Sequence, residues 1–231
     1  MKGIFISFEG IEGTGKSTQS RLLSEHLRAK GFSVTRTEEP GGTPISLKIR
    51  ELLLSLDSRD MDPVTELLLY NASRVQHIRK VISPALQRGD IVITDRFSDS
   101  TIAYQGYGRG ISLELLDSLD LISTNRMRPD ITILLDLDVE TGLKRNREIN
   151  KNDRLELEDI AFHQKVRKGF LALLAKEPER IKLVDCSVSL EDVHTKIVKI
   201  IEVFMESRSS SFPPVGNLSE RFWTSQNDKN K

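Results

Sequence analysis

The sequence predicts an α/β fold, a five-stranded parallel sheet with helices on both faces, and two observations predict it. Short β-branched runs alternate with longer helical patterns along most of the chain, which is how a sheet covered on both faces reads. Between the first run and the first helical pattern stands Gly10-Ile-Glu-Gly-Thr-Gly-Lys-Ser17, which fits G-x-x-x-x-G-K-[ST] in the strand-to-helix context that motif requires. Together they predict the three-layer P-loop NTPase architecture.

The elements follow in order. A strand is read at Ile4 to Phe8, a helix at Ser17 to Lys30 and a second strand at Ser33 to Thr37. Pro40-Gly41-Gly42 marks a loop before a helix near Ser46 to Leu54, and Pro63 opens a long helical stretch to about Arg88. Ile91 to Thr94 is the third strand. A polar, glycine-containing segment and a helix around Leu113 to Leu121 lead to the fourth strand, Ile131 to Leu137, and to a helix at Val139 to Glu148. Asp159 to Lys176 is helical by period, Ile181 to Asp185 is the fifth strand, and Leu190 to Met205 repeats apolar residues at Val193, Ile197, Ile200, Ile201 and Phe204. One domain is expected over 1–206. From Ser207 a serine cluster, Pro213-Pro214 and a polar end replace the periodicity, so 207–231 reads as a flexible extension; Phe212, Phe222 and Trp223 are the residues by which it could dock.

The P-loop implies a nucleoside triphosphate. Its residues Gly10, Ile11, Glu12, Gly13, Thr14, Gly15, Lys16, Ser17 and Thr18 would wrap backbone N–H groups around phosphate oxygens at a helix N-terminus. Lys16 would reach the β/γ-phosphates and Ser17 would ligate Mg²⁺.

Composition excludes other classes. The 34 basic residues balance 34 acidic ones, so no broad positive field exists for a nucleic-acid polymer or an anionic membrane. The single Cys186 rules out an internal disulfide and reads as a buried thiol. The first residues lack a signal peptide's apolar core, and no apolar run approaches the ~20 residues that cross a bilayer. A cytoplasmic protein is expected, and the glycosylation-like Asn71-Ala-Ser73 and Asn217-Leu-Ser219 are then coincidences.

A second site is predicted at Asp95-Arg96-Phe97, directly after the third strand. Ligands in open α/β sheets sit beyond the carboxyl ends of strands, so Asp95 can approach the metal and phosphate region. Arg96 offers a planar fork suited to a second phosphate. A salt-bridged pair at a strand end is the alternative; the following polar, aromatic and glycine-rich stretch, Ser98 to Gly110, favours a ligand-facing surface.

These residues, with Glu39-Pro-Gly-Gly-Thr43, Asn71-Ala-Ser-Arg-Val-Gln76, Tyr104-Gln105-Gly106, Arg128-Pro-Asp130 and Asp153-Arg154-Leu155, resemble the thymidylate kinase family over about residues 3 to 205. The resemblance implies ATP- and Mg²⁺-dependent phosphorylation of dTMP to dTDP by in-line γ-phosphoryl transfer, in a homodimer acting on small nucleotides. It also implies roles for particular residues. Tyr70 would stack on thymine, where the family usually has Phe, and Arg74, one turn on, would donate to a base carbonyl; without the resemblance Arg74 reads as an exposed surface arginine. Thr101 and Gln105 would line base and sugar, Tyr104 would crowd the sugar 2′ position, and Glu12 would lie near the 3′-hydroxyl. Arg50 and Arg96 would surround the monophosphate, and Ser17 with Asp95 would serve the metal. The polar run within about 144–156 resembles a lid closing over ATP, with Arg154 on the transferring phosphoryl, Arg147 second, and Arg145 near adenine. Its plainer reading is an exposed, charged helix end.

One departure concerns Glu38, where many bacterial relatives carry Arg; Arg36 shares its strand face and could partly substitute. Two other classes compete. Asn150-Lys-Asn-Asp153 spells the guanine-reading N-K-x-D pattern of a GTP switch, but it closes no apolar strand and the chain contains no D-x-x-G. A kinase for another small acceptor, nucleotide or deoxynucleoside, shares the fold, and only Tyr70, Arg74, Thr101, Tyr104 and Gln105 argue for thymine.

Overall fold

The computed structural model describes residues 3–148 and 153–210. The extension from 211, with Phe212, Phe222, Trp223 and the second glycosylation-like match, and lid positions 149–152, with most of the N-K-x-D match, lie outside the described residues.

Five parallel strands form one sheet in the order β2-β3-β1-β4-β5: β1 Ile4–Glu9, β2 Val34–Glu38, β3 Ile91–Asp95, β4 Ile131–Asp136 and β5 Ile181–Asp185. Side-chain alternation assigns the faces. Ile6 and Phe8 of β1, with Ile91 and Ile93 of β3 and Ile131 and Ile133 of β4, pack against Leu23 and Leu27 of α1 (Lys16–Ala29) and Val193, Ile197 and Ile201 of α9 (Leu190–Ser210). On the opposite face Phe5 and Val92 meet Ile78, Ile82 and Phe97. Leu134 and Ile181 meet Phe162, Val166 and Phe170 of α8 (Ile160–Lys176).

The remaining helices follow the sequence pattern with local chemistry at their starts. In α2 (Pro44–Leu54) Thr43 Oγ1 accepts from the Ser46 amide, and in α3 (Pro63–His77) Asp62 accepts from the amides of Val64 and Thr65, with proline opening both helices. α3 continues through a π-helical turn, Ile78–Ile82, into α4 (Ser83–Gln87). The glycine-containing segment after β3, to which the sequence reading assigned no element, is helical: α5 (Ser98–Thr101) widens into a π-helix, Ile102–Gly108, after which the Arg109 amide reaches back five residues to the Tyr104 carbonyl. α6 (Leu113–Thr124) and α7 (Val139–Glu148) complete the set. Helix α9 runs past Met205 to Ser210, so 207–210 are helical rather than part of an irregular tail. Among the described residues no helix is long and apolar enough to cross a membrane.

The sheet order brings the ends of β1, β2 and β3 together. Phe8 and Glu38 both pair with Asp95 in register, and the Arg96 amide donates to the Phe8 carbonyl at 2.9 Å. The loop after β1 and the turn after β3 therefore share one edge of the sheet, where open α/β folds bind ligands.

Candidate functional site

The loop after β1 has the backbone its glycines permit. Gly10, Gly13 and Gly15 have φ of 137°, 72° and 87°. A Cβ on Gly13 would lie 2.0 Å from the Gly142 carbonyl oxygen, so no other residue fits between this loop and α7. Thr14 Oγ1 ties the loop to the Ile11 carbonyl at 2.9 Å, and Lys16 Nζ donates to that same carbonyl at 2.7 Å. Burial, assisted by the charge of Arg96, brings the Lys16 ammonium down to about 8. A buried cation with a single loop carbonyl at close range is poised for an anion.

Behind the loop, Ser17 Oγ donates to Asp95 Oδ2 at 2.5 Å. Arg96 follows in the left-handed region at φ 68°, a sparsely populated conformation for a side chain of its size. The turn is over-determined: the Phe97 amide donates to Glu9 Oε1 at 2.8 Å and Ser100 Oγ to Glu9 Oε2 at 2.6 Å. Glu9 is completely buried, and its burial, together with the nearby Asp99 charge, pushes its carboxyl up to about 8. Arg96 itself donates from Nη1 to the Gly10 carbonyl and Ser100, and from Nη2 to Glu12 and the Tyr104 hydroxyl, at 3.0–3.1 Å.

One cavity of about 580 Å³ opens over these groups. Its phosphate-loop end is lined by Glu12, Gly13 and Gly15 to Thr18; its far end by Tyr70, Arg74, Thr101, Tyr104 and Gln105, with Asp95, Arg96 and Arg50 between. The far end is built of buried charge pairs. Arg74 Nε donates to Glu39 Oε2 at 2.8 Å and Nη2 to Thr101 Oγ1 at 2.9 Å, while His77 Nδ1 sits 2.9 Å from Glu39 Oε1. Burial works against the Glu39 charge, but Arg74 and His77 outweigh it and hold its carboxyl below the usual range. Burial likewise opposes the Glu12 charge, yet His163, Arg96 and Lys16 keep that carboxyl well below the usual range. The Tyr104 hydroxyl donates to Glu12 Oε1 at 2.5 Å, and His163 Nδ1 of α8 lies 3.3 Å from Oε2.

Most of the expected site residues therefore meet in one place, with exceptions. Gly10, Ile11 and Thr14 shape the loop without lining the cavity. Arg74 is not the exposed surface arginine that helix position alone would allow: it is 3% exposed. Arg50 donates to the Pro40 carbonyl at 2.8 Å and lies 3.5 Å from Glu38, which lines the cavity; exposed Arg36 does not line it and so does not substitute there. Arg145 lines the cavity and donates to the Cys186 carbonyl. The structure does not bring Arg147 or Arg154 to the cavity. Arg147 is exposed, whereas Arg154 is buried, donating from Nε to the Leu53 carbonyl at 3.1 Å and placing Nη2 2.6 Å from Glu66 Oε2. A charged run near a ligand finds whichever buried counter-charge its backbone path allows, and here that is a carboxylate of α3.

Sequence reasoning missed Glu9, Glu39, Glu66, His77 and His163. Glu66, Tyr70, Arg74 and His77 follow one another at helical spacings of four and three, so a polar stripe on α3 was a signal that could have found two of them. Glu39 heads the Glu39-Pro-Gly-Gly-Thr43 motif, which was read without a role for its carboxylate; Glu9 ends a strand and His163 sits on a distant helix, and no local pattern gives either a role.

Comparison with known proteins places this geometry. The family model described as thymidylate kinase matches residues 8–197. A thymidylate kinase from Pelobacter propionicus is 50% identical over 202 residues, 85% of this chain and 92% of that one. One from Exiguobacterium sibiricum is 46% identical over 208 residues, 90% and 98% of the two chains. The crystal structure of thymidylate kinase from Ehrlichia chaffeensis superposes with a TM-score of 0.71 at 37% identity, covering 87% of this chain and 99% of that one. The chain belongs to the thymidylate kinase family and is an enzyme of that kind.

Proposed function

We propose that the enzyme transfers the γ-phosphoryl group of ATP in line to dTMP, giving dTDP, with the ATP phosphates on Gly13 to Thr18 and dTMP between Tyr70 and Tyr104. The observation that carries this reading is that one cavity is lined by both a phosphate loop and a separate aromatic and arginine wall, with Arg96 between them. A simple triphosphate hydrolase needs only the first.

The oxygen donors fit Mg²⁺: Ser17 Oγ and Asp95 Oδ2 converge 2.5 Å apart, and both are hard ligands. Among the described residues no group of three or more His, Cys, Asp or Glu could hold a metal, so phosphate oxygens and water would complete its shell. When bound there, Mg²⁺ supplies neutralisation of phosphate charge. The chain's own groups do the rest. Lys16 binds the donor phosphates, while Arg96, with Arg50 at the cavity lip, fixes the acceptor phosphate. Loose phosphoryl transfer is mainly positioning and charge neutralisation. No general base is required, because a phosphomonoester is already ionised near neutral pH, its second pKa being about 6. Tyr70 stacks on the base and Arg74 donates to its carbonyl; Thr101 and Gln105 line base and sugar. Tyr104 crowds a 2′-hydroxyl, and Glu12 meets the sugar 3′ side. Arg154 contacts the transferring phosphoryl only after leaving Glu66, with Arg147 as the second cation of the closing segment.

The enzyme works in the cytoplasm as a homodimer in this reading. Exposed Ile45 of α2, Leu68 of α3 and Ile122 of α6, 50–74% accessible, are compatible with a partner surface; sedimentation showing a monomer would remove the dimer. The decisive test is nucleotide-product chromatography after incubation with ATP, Mg²⁺ and dTMP, UMP, dCMP or thymidine in separate reactions. Strong dTDP formation with weak use of UMP is expected. Preference for another acceptor would overturn the dTMP assignment and leave the phosphate loop standing.

A further inference from the structure

Glu66 is completely buried beside the cavity, one turn before Tyr70 on α3. Three side chains converge on its carboxylate. Gln105 Nε2 donates to Oε1 at 2.7 Å, Arg109 Nη2 to Oε2 at 3.2 Å, and Arg154 Nη2 stands 2.6 Å from Oε2. Arg109 is shared with Glu158 at 2.7 Å, so two guanidiniums and two carboxylates balance locally.

A carboxylate facing two guanidiniums can only accept hydrogen bonds. The Gln105 atom against it must therefore be the amide nitrogen, which leaves the amide oxygen as the group Gln105 can turn to the cavity it lines. On the same wall, Arg74 Nη1 is buried and has no hydrogen-bond partner among the described residues. The cavity thus offers an acceptor and a donor together. A pyrimidine edge carrying a carbonyl beside a ring N–H matches that pair. The cytosine edge carries an amino donor beside a bare ring nitrogen and reverses it at both positions.

We propose that Glu66 is a positioning residue for base choice: without reaching the base, it fixes the orientation of the Gln105 amide and so selects a pyrimidine with a ring N–H over cytosine. This inference rests on the cavity being the dTMP site and deepens that reading. Leaving a buried acceptor opposite another acceptor costs far more than a neutral mismatch in an apolar pocket, so the orientation of one amide is enough to discriminate.

The test is the ratio of kcat/KM for dTMP to that for dCMP in Glu66→Gln. A neutral amide at 66 keeps its oxygen toward Arg109 and Arg154 and presents its nitrogen to Gln105, whose amide then turns over; the ratio is expected to fall by ~tenfold or more, with KM for dTMP rising more than kcat falls. In a Gln105→Met background the Glu66→Gln change should leave the ratio within about twofold, because the effect runs through that amide. If Glu66→Gln fails to fold, Glu66→Asp keeps the charge for Arg109 and Arg154 while setting the carboxylate one methylene back from Gln105, and the same fall is expected. A folded variant with an unchanged ratio, or an equal fall in the Gln105→Met background, overturns the inference. A wild-type enzyme that makes no dTDP from dTMP overturns the functional reading instead, so the two failures are distinguishable.

Discussion

The two ends of the cavity solve opposite problems. At the far end, and in the layer behind it, charges are already paired before any nucleotide arrives: Glu39 with Arg74 and His77 at the wall, and Glu66 with Arg154 and Arg109 behind Gln105. At the phosphate end, buried Lys16 hydrogen-bonds, among the described residues, only to the Ile11 carbonyl and, at 3.4 Å, to Thr14 Oγ1. The difference teaches where preorganisation suits each task. Recognising a neutral base needs rigid, satisfied neighbours that leave a few donors and acceptors aimed inward. Receiving a polyanion needs charge held in readiness, at some cost to the empty protein.

The largest expected effect breaks the phosphate end. Lys16→Ala should lower turnover by ~10³-fold or more while leaving the thermal midpoint near that of the wild type, since single cations on a transferring phosphoryl group carry effects of this order. Steady-state rates beside a melting curve check it; a loss of activity that merely tracks unfolding would contradict the contrast. Next, Arg74→Met breaks the other end and should behave oppositely. Removing one partner of a buried pair costs about 3–5 kcal/mol of folding stability, and here it leaves Glu39 with His77 as its one remaining charge partner among the described residues. Denaturant unfolding measures this, and a change below ~1 kcal/mol would show that His77 alone suffices for Glu39.

The smallest effect sharpens the comparison through pH. With Lys16 brought down to about 8 in the free enzyme, roughly half the molecules are uncharged at that pH. A bound polyphosphate favours the ammonium, so binding should take up a fraction of a proton at pH 8, and a larger fraction near pH ~9, where more of the lysine begins neutral. Calorimetry in buffers of different ionisation enthalpy reads the proton count. Release, or no change between the two pH values, would count against a depressed lysine.

How legible all this was in the sequence depends on whether neighbours in space were also periodic in the chain. Strands and helices were legible because burial on both sheet faces writes itself as short apolar runs between helical periods. The loop from Gly10 to Ser17 was legible because its spacing is the chemistry. Tyr70 and Arg74 could be put on one face by their separation of four. What periodicity does not carry is the partner across the fold: nothing near Arg154 names Glu66, and nothing near Glu12 names His163. The π-helix at Ile102–Gly108 was hidden for another reason, since its two glycines read locally as loop while packing against α6 and α8 stabilises a helix. Within it both Tyr104 and Gln105 are buried, although they are adjacent in the chain.

Arg96 binds the Gly10 carbonyl and Glu12 through its side chain and the Phe8 carbonyl through its backbone. The loop after β1 and the arginine after β3 are therefore tied together by hydrogen bonds that form when the chain folds, before either nucleotide binds. The π-helix joins this unit through Tyr104, which contacts both Arg96 and Glu12, while α3 borders it from outside. Residues of α3 that face the base can be exchanged, by mutation or by design, to admit a different base while the contacts that join the loop to Arg96 stay in place. One chassis can thus carry interchangeable selectors.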